Sequence, residues 1–125
     1  MNIQAEHAAL FEQLLHTWQS GELSKVDSLV AQDYVGHVSA GDRDIKGLKA
    51  RIAEFKTRFP DVAFRVDDQL AVGEKLVTRM TARATDTATG REIVMMGINI
   101  SRFSDGHLCE EWATWEVLSA LESTA

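Results

Sequence analysis

The sequence predicts an α+β fold in which three helices pack on one face of a curved, mostly antiparallel sheet. Three observations carry that prediction. Apolar residues recur at helical spacing as far as Phe59-Pro60, and from Val62 onward the period changes to two. The connectors between the two-residue-period segments are short, which favours antiparallel hairpins. At 125 residues the chain fits one domain, residues 1–125, with one hydrophobic core.

Taken in order, the first segment places Ile3, His7, Leu10, Phe11, Leu14, Leu15 and Trp18 on one helical stripe, and Ser20-Gly21 ends it. A second, short helix carries Leu23, Val26, Leu29 and Val30 on one side, and Asp33 to Val38 reads as a brief strand or extended turn. Gly41-Asp42-Arg43-Asp44 reads as a loop leading into a third helix with Leu48, Ile52, Phe55 and Phe59 as its buried stripe, stopped by Pro60. The other faces of that helix carry Lys46, Lys49, Arg51, Lys56 and Arg58 against Glu54, which is either a solvated surface or a site for an anionic partner. Strands are expected at about Val62 to Val72, Lys75 to Thr85, Arg91 to Phe103 and His107 to Leu118. In the third of these, Val94, Met96, Ile98 and Ile100 alternate with Met95, Gly97, Asn99 and Ser101, so both faces need cover. Helices supply one cover; a ligand or a second subunit supplies the other, and a homodimer through the sheet is the expectation.

Hydrophobic residues make up 45% and charged residues 26% of the chain, with one Pro, the composition of an ordinary globular domain. A net charge of −6 argues against a nucleic-acid partner, because phosphate binding depends on Lys and Arg. Cys109 is the single cysteine, so no intrachain disulfide can form. The N-terminal stretch lacks the basic and apolar runs of a signal peptide and no window approaches a membrane span, which makes a cytoplasmic location and no membrane partner the expectation. His7, His16 and His107 are scattered without metal-ligand spacing, so no metal site is expected, and no phosphate loop, dinucleotide motif or nucleophile elbow occurs.

The chemistry-bearing candidates lie in the last third. Gly106 marks a tight turn, after which Trp112 and Glu116, four residues apart in an extended segment, point to one side of the sheet. A large apolar ring beside an acid raises a carboxyl pKa towards neutrality, the condition of a general base. The bland alternative is a strand-end carboxylate that is solvated or paired with a surface Arg. Arg79 either faces the same pocket or lies on an outward polar strand face, and a direct Arg79–Glu116 pair would oppose the effect of Trp112. His37 titrates near neutrality and is a candidate proton shuttle; Tyr34 and Asn99 are candidate hydrogen-bond donors to a ligand carbonyl or enolate. Trp115, of opposite parity to Trp112, is expected to pack against helices or a partner subunit.

The segment Asp105-Gly106-His107-Leu108-Cys109-Glu110-Glu111-Trp112, with an acid at 116, resembles the closing signature of the SnoaL-like polyketide cyclases of the NTF2-like superfamily. Tyr34-Val35-Gly36-His37, Phe59-Pro60-Asp61, Val77-Thr78-Arg79, and Thr89-Gly90-Arg91 followed by Gly97 and Arg102-Phe103 resemble further runs of that family in the same order. The resemblance implies a cone-shaped NTF2-like fold and an acid/base carboxylate that drives an intramolecular aldol closure without metal or organic cofactor. Where the family carries Asp, this chain has Glu116, whose extra methylene moves its oxygens by about 1 Å, a misplacement that can cost about 100-fold in rate. The family's "GTH-x-G" segment is replaced by the compact turn Thr87-Ala88-Thr89-Gly90, which suggests a smaller or more open site.

On this reading an apolar pocket is lined by Trp18, Tyr34, His37, Phe55, Phe59, Arg79, Asn99, Trp112 and Glu116, with Glu116, His37 and Arg79 as the catalytic candidates. The expected function is proton transfer next to a carbonyl of a hydrophobic small molecule, in a cyclase or isomerase. A non-catalytic ligand-binding or dimerisation module is the alternative, and a protein-interaction module using the sheet face is a third.

Overall fold

Two helical segments, a strand pair, a third helix and a four-strand meander follow one another along the chain. A computed structural model describes residues 2–118; Met1 and residues 119–125, which the expected domain 1–125 includes, lie outside the described residues. Helix α1 spans Ile3–Ser20, a 3-10 turn Leu23–Lys25 leads into α2 (Val26–Leu29), and β1 (Val30–Val38), β2 (Gly41–Arg43) and α3 (Ile45–Arg58) come next. The meander is β3 (Ala63–Val72), β4 (Lys75–Asp86), β5 (Arg91–Ser104) and β6 (His107–Val117).

Local chemistry explains these boundaries. Asn2 caps α1 by accepting the Ala5 N–H at 2.7 Å, and Asp44 caps α3 by accepting the Gly47 N–H at 2.9 Å. The expected second helix is shorter than its apolar spacing suggested, because Val30 already belongs to β1. The expected loop at Gly41-Asp42-Arg43 pairs with β1 as a short edge strand, Gly36 opposite Arg43.

The six strands form one sheet in the order β2-β1-β6-β5-β4-β3. All neighbours are antiparallel except β1 and β6, which are parallel. The result is an α+β fold of three helices and a mixed sheet, with α1 packed against β3 and β4, and α3 against β1.

Alternation along β4 fixes the two faces. Leu76, Thr78, Met80, Ala82, Ala84 and Asp86 are buried beneath the helices, while Val77, Arg79, Thr81, Arg83 and Thr85 face outward. Two apolar clusters fill the helix side. One gathers Phe11, Leu14, Val26, Leu48, Ile52, Met80 and Phe103; the other gathers Phe55, Phe59, Val62, Ala82 and Met95. Four of the five basic side chains on α3 have local partners. Lys49 pairs with Asp27 at 2.7 Å, Arg51 with Glu54 at 3.0 Å and Arg58 with the buried Asp86 at 2.9 Å, while the Lys56 ammonium donates to the carbonyls of Gln19 and Pro60.

Candidate functional site

A band of polar side chains crosses the helix-facing side of the sheet, one or two from each strand. It runs from Gln69 on β3 through Thr78 on β4, Asn99 and Ser101 on β5, Glu111 on β6 and Tyr34 on β1 to Arg43 on β2. Register places Gln69 opposite Thr78, Thr78 opposite Asn99, Ser101 opposite Glu111, and Gly36 opposite both Glu111 and Arg43. Gln69 donates its amide to Thr78 Oγ1 at 3.0 Å.

Glu111, only 6% exposed, is the centre of the band. Its Oε2 accepts the Tyr34 hydroxyl and lies 3.5 Å from an Arg43 terminal nitrogen, and its Oε1 accepts the Asn99 amide at 3.3 Å. Arg43 Nε donates to the Tyr34 oxygen at 3.2 Å, which directs the phenol's own proton to Glu111. Burial, reinforced by the negative charge of Glu111, raises the Tyr34 pKa far above the ordinary phenol range and outweighs the opposing Arg43 charge. Tyr34 is therefore the proton donor of this hydrogen bond and the Glu111 carboxyl its acceptor. A carboxylate offers about four acceptor positions, and Tyr34, Arg43 and Asn99 address three of them.

The backbone makes room for this cluster at Gly36. A Cβ there would stand 2.3 Å from the Tyr34 hydroxyl oxygen and 3.0 Å from Arg43 Nε, so a side chain at position 36 would break the contact between phenol and guanidinium. Gly97 plays the same part under the Trp115 ring, whose atoms come within 2.4 Å of where a Cβ would be.

An aromatic wall adjoins the cluster. Trp18 packs edge-on to Phe55 at 5.4 Å, Phe55 touches Phe59 at 5.0 Å and Phe64 at 6.3 Å, and Phe64 meets Trp115 at 6.1 Å. Arg43 bridges the polar and aromatic parts, its guanidinium 5.9 Å from the Trp18 ring centre. Two hollows open at the ends of the band. One, about 1070 Å³, runs beside α1 and includes Phe64, Val66 and Gln69; the other, about 470 Å³, lies at Val35, Asp42, Arg43, Asp44 and Gly47. Neither includes Glu111, which lies between them.

Of the residues singled out in the sequence, Tyr34 and Asn99 meet at Glu111, and Trp18, Phe55 and Phe59 build the adjoining wall. His37, Arg79, Trp112 and Glu116 are not brought to them. All four lie on the opposite, outward face, so the single pocket expected from the sequence is divided between two faces. His37 stacks on Trp112 at 5.2 Å and sits between Asp42 at 2.9 Å and Glu110 at 2.8 Å. Hydrogen bonds to Glu110 and Asp42 raise the His37 pKa, and the His37 contact lowers that of Glu110. The Lys75 ammonium lies 5.3 Å from the Trp112 ring centre. Arg79 has Asp67 as its carboxylate neighbour, at 3.9 Å, and stands two strands away from Glu116, about 10 Å across the sheet. Glu116 shares a face with Trp112 as expected, and it is exposed.

A one-residue bulge accounts for the change of face. Phe103 pairs with Leu108 but Arg102 pairs with Glu110, so Cys109 is an extra residue in β6. Leu108 and Glu111 both turn inward, and Trp112 and Glu116 turn outward. Glu111 and Arg43 are the site residues the sequence reading missed. The signal for Arg43 was Tyr34-Val35-Gly36, which leaves a gap beside a tyrosine; for Glu111 there was the acidic pair, without the bulge that selects its second member.

The sequence matches the SnoaL-like polyketide cyclase family over residues 8–123. Among solved structures, IdmH, a candidate polyketide cyclase from Streptomyces antibioticus, is similar at 28% identity and a TM-score of 0.78, covering 87% of this chain and 91% of that one. TsrD from Streptomyces laurentii is similar in fold at 24% identity and a TM-score of 0.82, over 93% of this chain and 92% of its own. A candidate polyketide cyclase from Acidithiobacillus ferrooxidans aligns over 100% of both chains at 24% identity, with a TM-score of 0.82. No curated protein matches the sequence significantly.

Proposed function

This chain belongs to the SnoaL-like polyketide cyclase family, and from that premise we propose a cofactor-independent small-molecule enzyme that transfers a proton next to a carbonyl, with Glu111 as its base. The observation that carries the proposal is the buried Glu111 carboxylate, held by a phenol, an amide and a guanidinium. Glu111 Oε1 takes the α-proton of the substrate, and the C–H electron pair becomes the enolate. As Glu111 loses its charge, its hold on Tyr34 and Asn99 weakens. Those donors, with the positive charge of Arg43, then stabilise the developing enolate oxygen. Return of the proton to a different carbon is isomerisation; attack of the enolate carbon on a second carbonyl, with protonation of the resulting alkoxide, is aldol closure. The aromatic wall from Trp18 to Trp115 suits an apolar, ring-bearing substrate.

The test needs no knowledge of the natural substrate. Deuterium incorporation at the α-carbon of 2-tetralone in D2O, followed by NMR, reads proton abstraction directly. Acceleration over buffer at equal pH supports the proposal; a probe that binds and exchanges no faster than in buffer refutes it.

A second reading, a ligand-binding or dimerisation module without chemistry, is favoured by the outward sheet face. Leu70 is 62% exposed and Ile98 42%, beside Val77, Ile100 and Trp112. We propose that a second copy of the chain covers this strip, whichever reading of the inner face holds. No helix among the described residues is long and apolar enough to cross a membrane. We place the protein in the cytoplasm, with Cys109 as a free thiol.

A further inference from the structure

The outward sides of β4, β5 and β6 carry three different columns of side chains. On β4, Lys75, Arg79 and Arg83 recur at every fourth residue, with Val77 and Thr81 between them. On β6 the outward residues are Glu110, Trp112, Thr114 and Glu116, and on β5 they include Val94, Met96, Ile98 and Ile100. An apolar column is thus bordered by a basic column on one side and an acidic one on the other.

Register fixes how the columns line up. Arg79, Ile98 and Thr114 form one row across the three strands, Thr81, Met96 and Glu116 the next, and Arg83 with Val94 the one after. Neighbouring rows are about 7 Å apart, within reach of an arginine side chain. Arg79 and Arg83 are 49% and 60% exposed, with carboxylate neighbours only at 3.9 and 3.8 Å, in Asp67 and Glu92. Glu116 is exposed and has no ion-pair partner among the described residues. At the end of the strip, the β5 cation Arg102 is held by Glu110 at 3.2 Å.

Two copies that bury this face are related by a two-fold axis lying between the sheets, and aligned packing leaves two directions for it. An axis across the strands at Ile98 would set β4 against β4, with Arg79 on its own counterpart and Lys75 against Arg83. Such like-charge contacts oppose association. An axis along β5 sets β4 of each copy over β6 of the other, row for row, so that Glu116 of the partner subunit falls opposite Thr81, between Arg79 and Arg83. We infer that the two-fold axis of the dimer runs along β5, with Arg79 and Arg83 of each copy clasping Glu116 of the partner subunit at both borders of the apolar strip. The inference rests on the reading that a second copy covers this face; a dimer with another axis would remove it and leave that reading intact.

Sedimentation equilibrium tests both levels. Complementary columns are screened by salt, so raising NaCl from about 0.05 to about 0.5 M should weaken the wild-type dimer several-fold, whereas like-charged contacts would make it tighten. Glu116→Arg sets a cation against two others at each of two symmetric places and should raise the dissociation constant about tenfold or more, with the far-UV spectrum retained. Adding Arg79→Glu and Arg83→Glu to that variant reverses both columns and should bring the constant back to within about threefold of wild type. A wild-type dimer that tightens with salt, that Glu116→Arg leaves unchanged, or that the combined variant does not recover would overturn the axis alone. A monomeric wild type would overturn the covering copy itself.

Discussion

The Tyr34 phenol donates its proton to the Glu111 carboxylate across neighbouring parallel strands, joining residues 77 positions apart in the sequence. Both groups are buried, and Arg43 contacts both. Tyr34→Phe removes the donor to Glu111 and the acceptor for Arg43 Nε while keeping the ring. A hydrogen bond to a charged group contributes about 1.5–3 kcal/mol, so urea unfolding should show a loss of that order. A change below about 0.5 kcal/mol would mean the contact is not made in solution.

Gly36→Ala tests the gap that admits this contact. Its Cβ would overlap the Tyr34 hydroxyl, and the inward face of β1 offers it no other place. Overpacking of this kind costs about 1–3 kcal/mol, and it should lower α-proton exchange as well, because Tyr34 and Arg43 are pushed from Glu111. Unaltered stability together with unaltered exchange would contradict the account.

On the outward face, His37 should titrate above its ordinary 6.5, because Glu110 and Asp42 each bond a ring nitrogen of the charged form. A raised folded pKa contributes stability that is fully present below 6.5 and is lost as pH rises through the folded value. The depressed Glu110 contributes stability that is present above its ordinary 4.5 and is lost as pH falls. The pair is thus complete between about pH 4.5 and 6.5 and weakens on either side. An NMR titration of the imidazole should show Glu110→Gln lowering the His37 pKa; titration of wild-type His37 at or below 6.5 would contradict the pairing.

Much of the fold was legible because its periods are unmixed. The stripe Leu48, Ile52, Phe55 and Phe59 and the strict alternation of β4 specify a helix and a strand whatever the rest of the chain does. The short strand β2 was not legible, because a glycine and two charged residues form it only by lying against β1. Trp18, Phe55 and Phe59 of the aromatic wall followed from the helix stripes, and Tyr34 and Asn99 from their capacity to donate. Which carboxylate joins them did not follow, since Cys109 shifts the alternation of β6 by one position.

Ile98→Lys places a charge in the exposed outward strip without touching Glu111. If a second copy covers that strip, the substitution should convert dimer to monomer in sedimentation velocity with the far-UV spectrum retained. A wild type that sediments as a monomer throughout the micromolar range would contradict the proposed interface.

The most direct test sets the two carboxylates of β6 against each other. Glu111→Gln and Glu116→Gln each remove a base while keeping side-chain size, and α-deuterium exchange into 2-tetralone is measured for both. The account predicts a loss of about 100-fold or more in Glu111→Gln, the usual scale of a lost general base, and near wild-type exchange in Glu116→Gln. Exchange abolished by Glu116→Gln and retained by Glu111→Gln would place the base on the outward face and contradict the account.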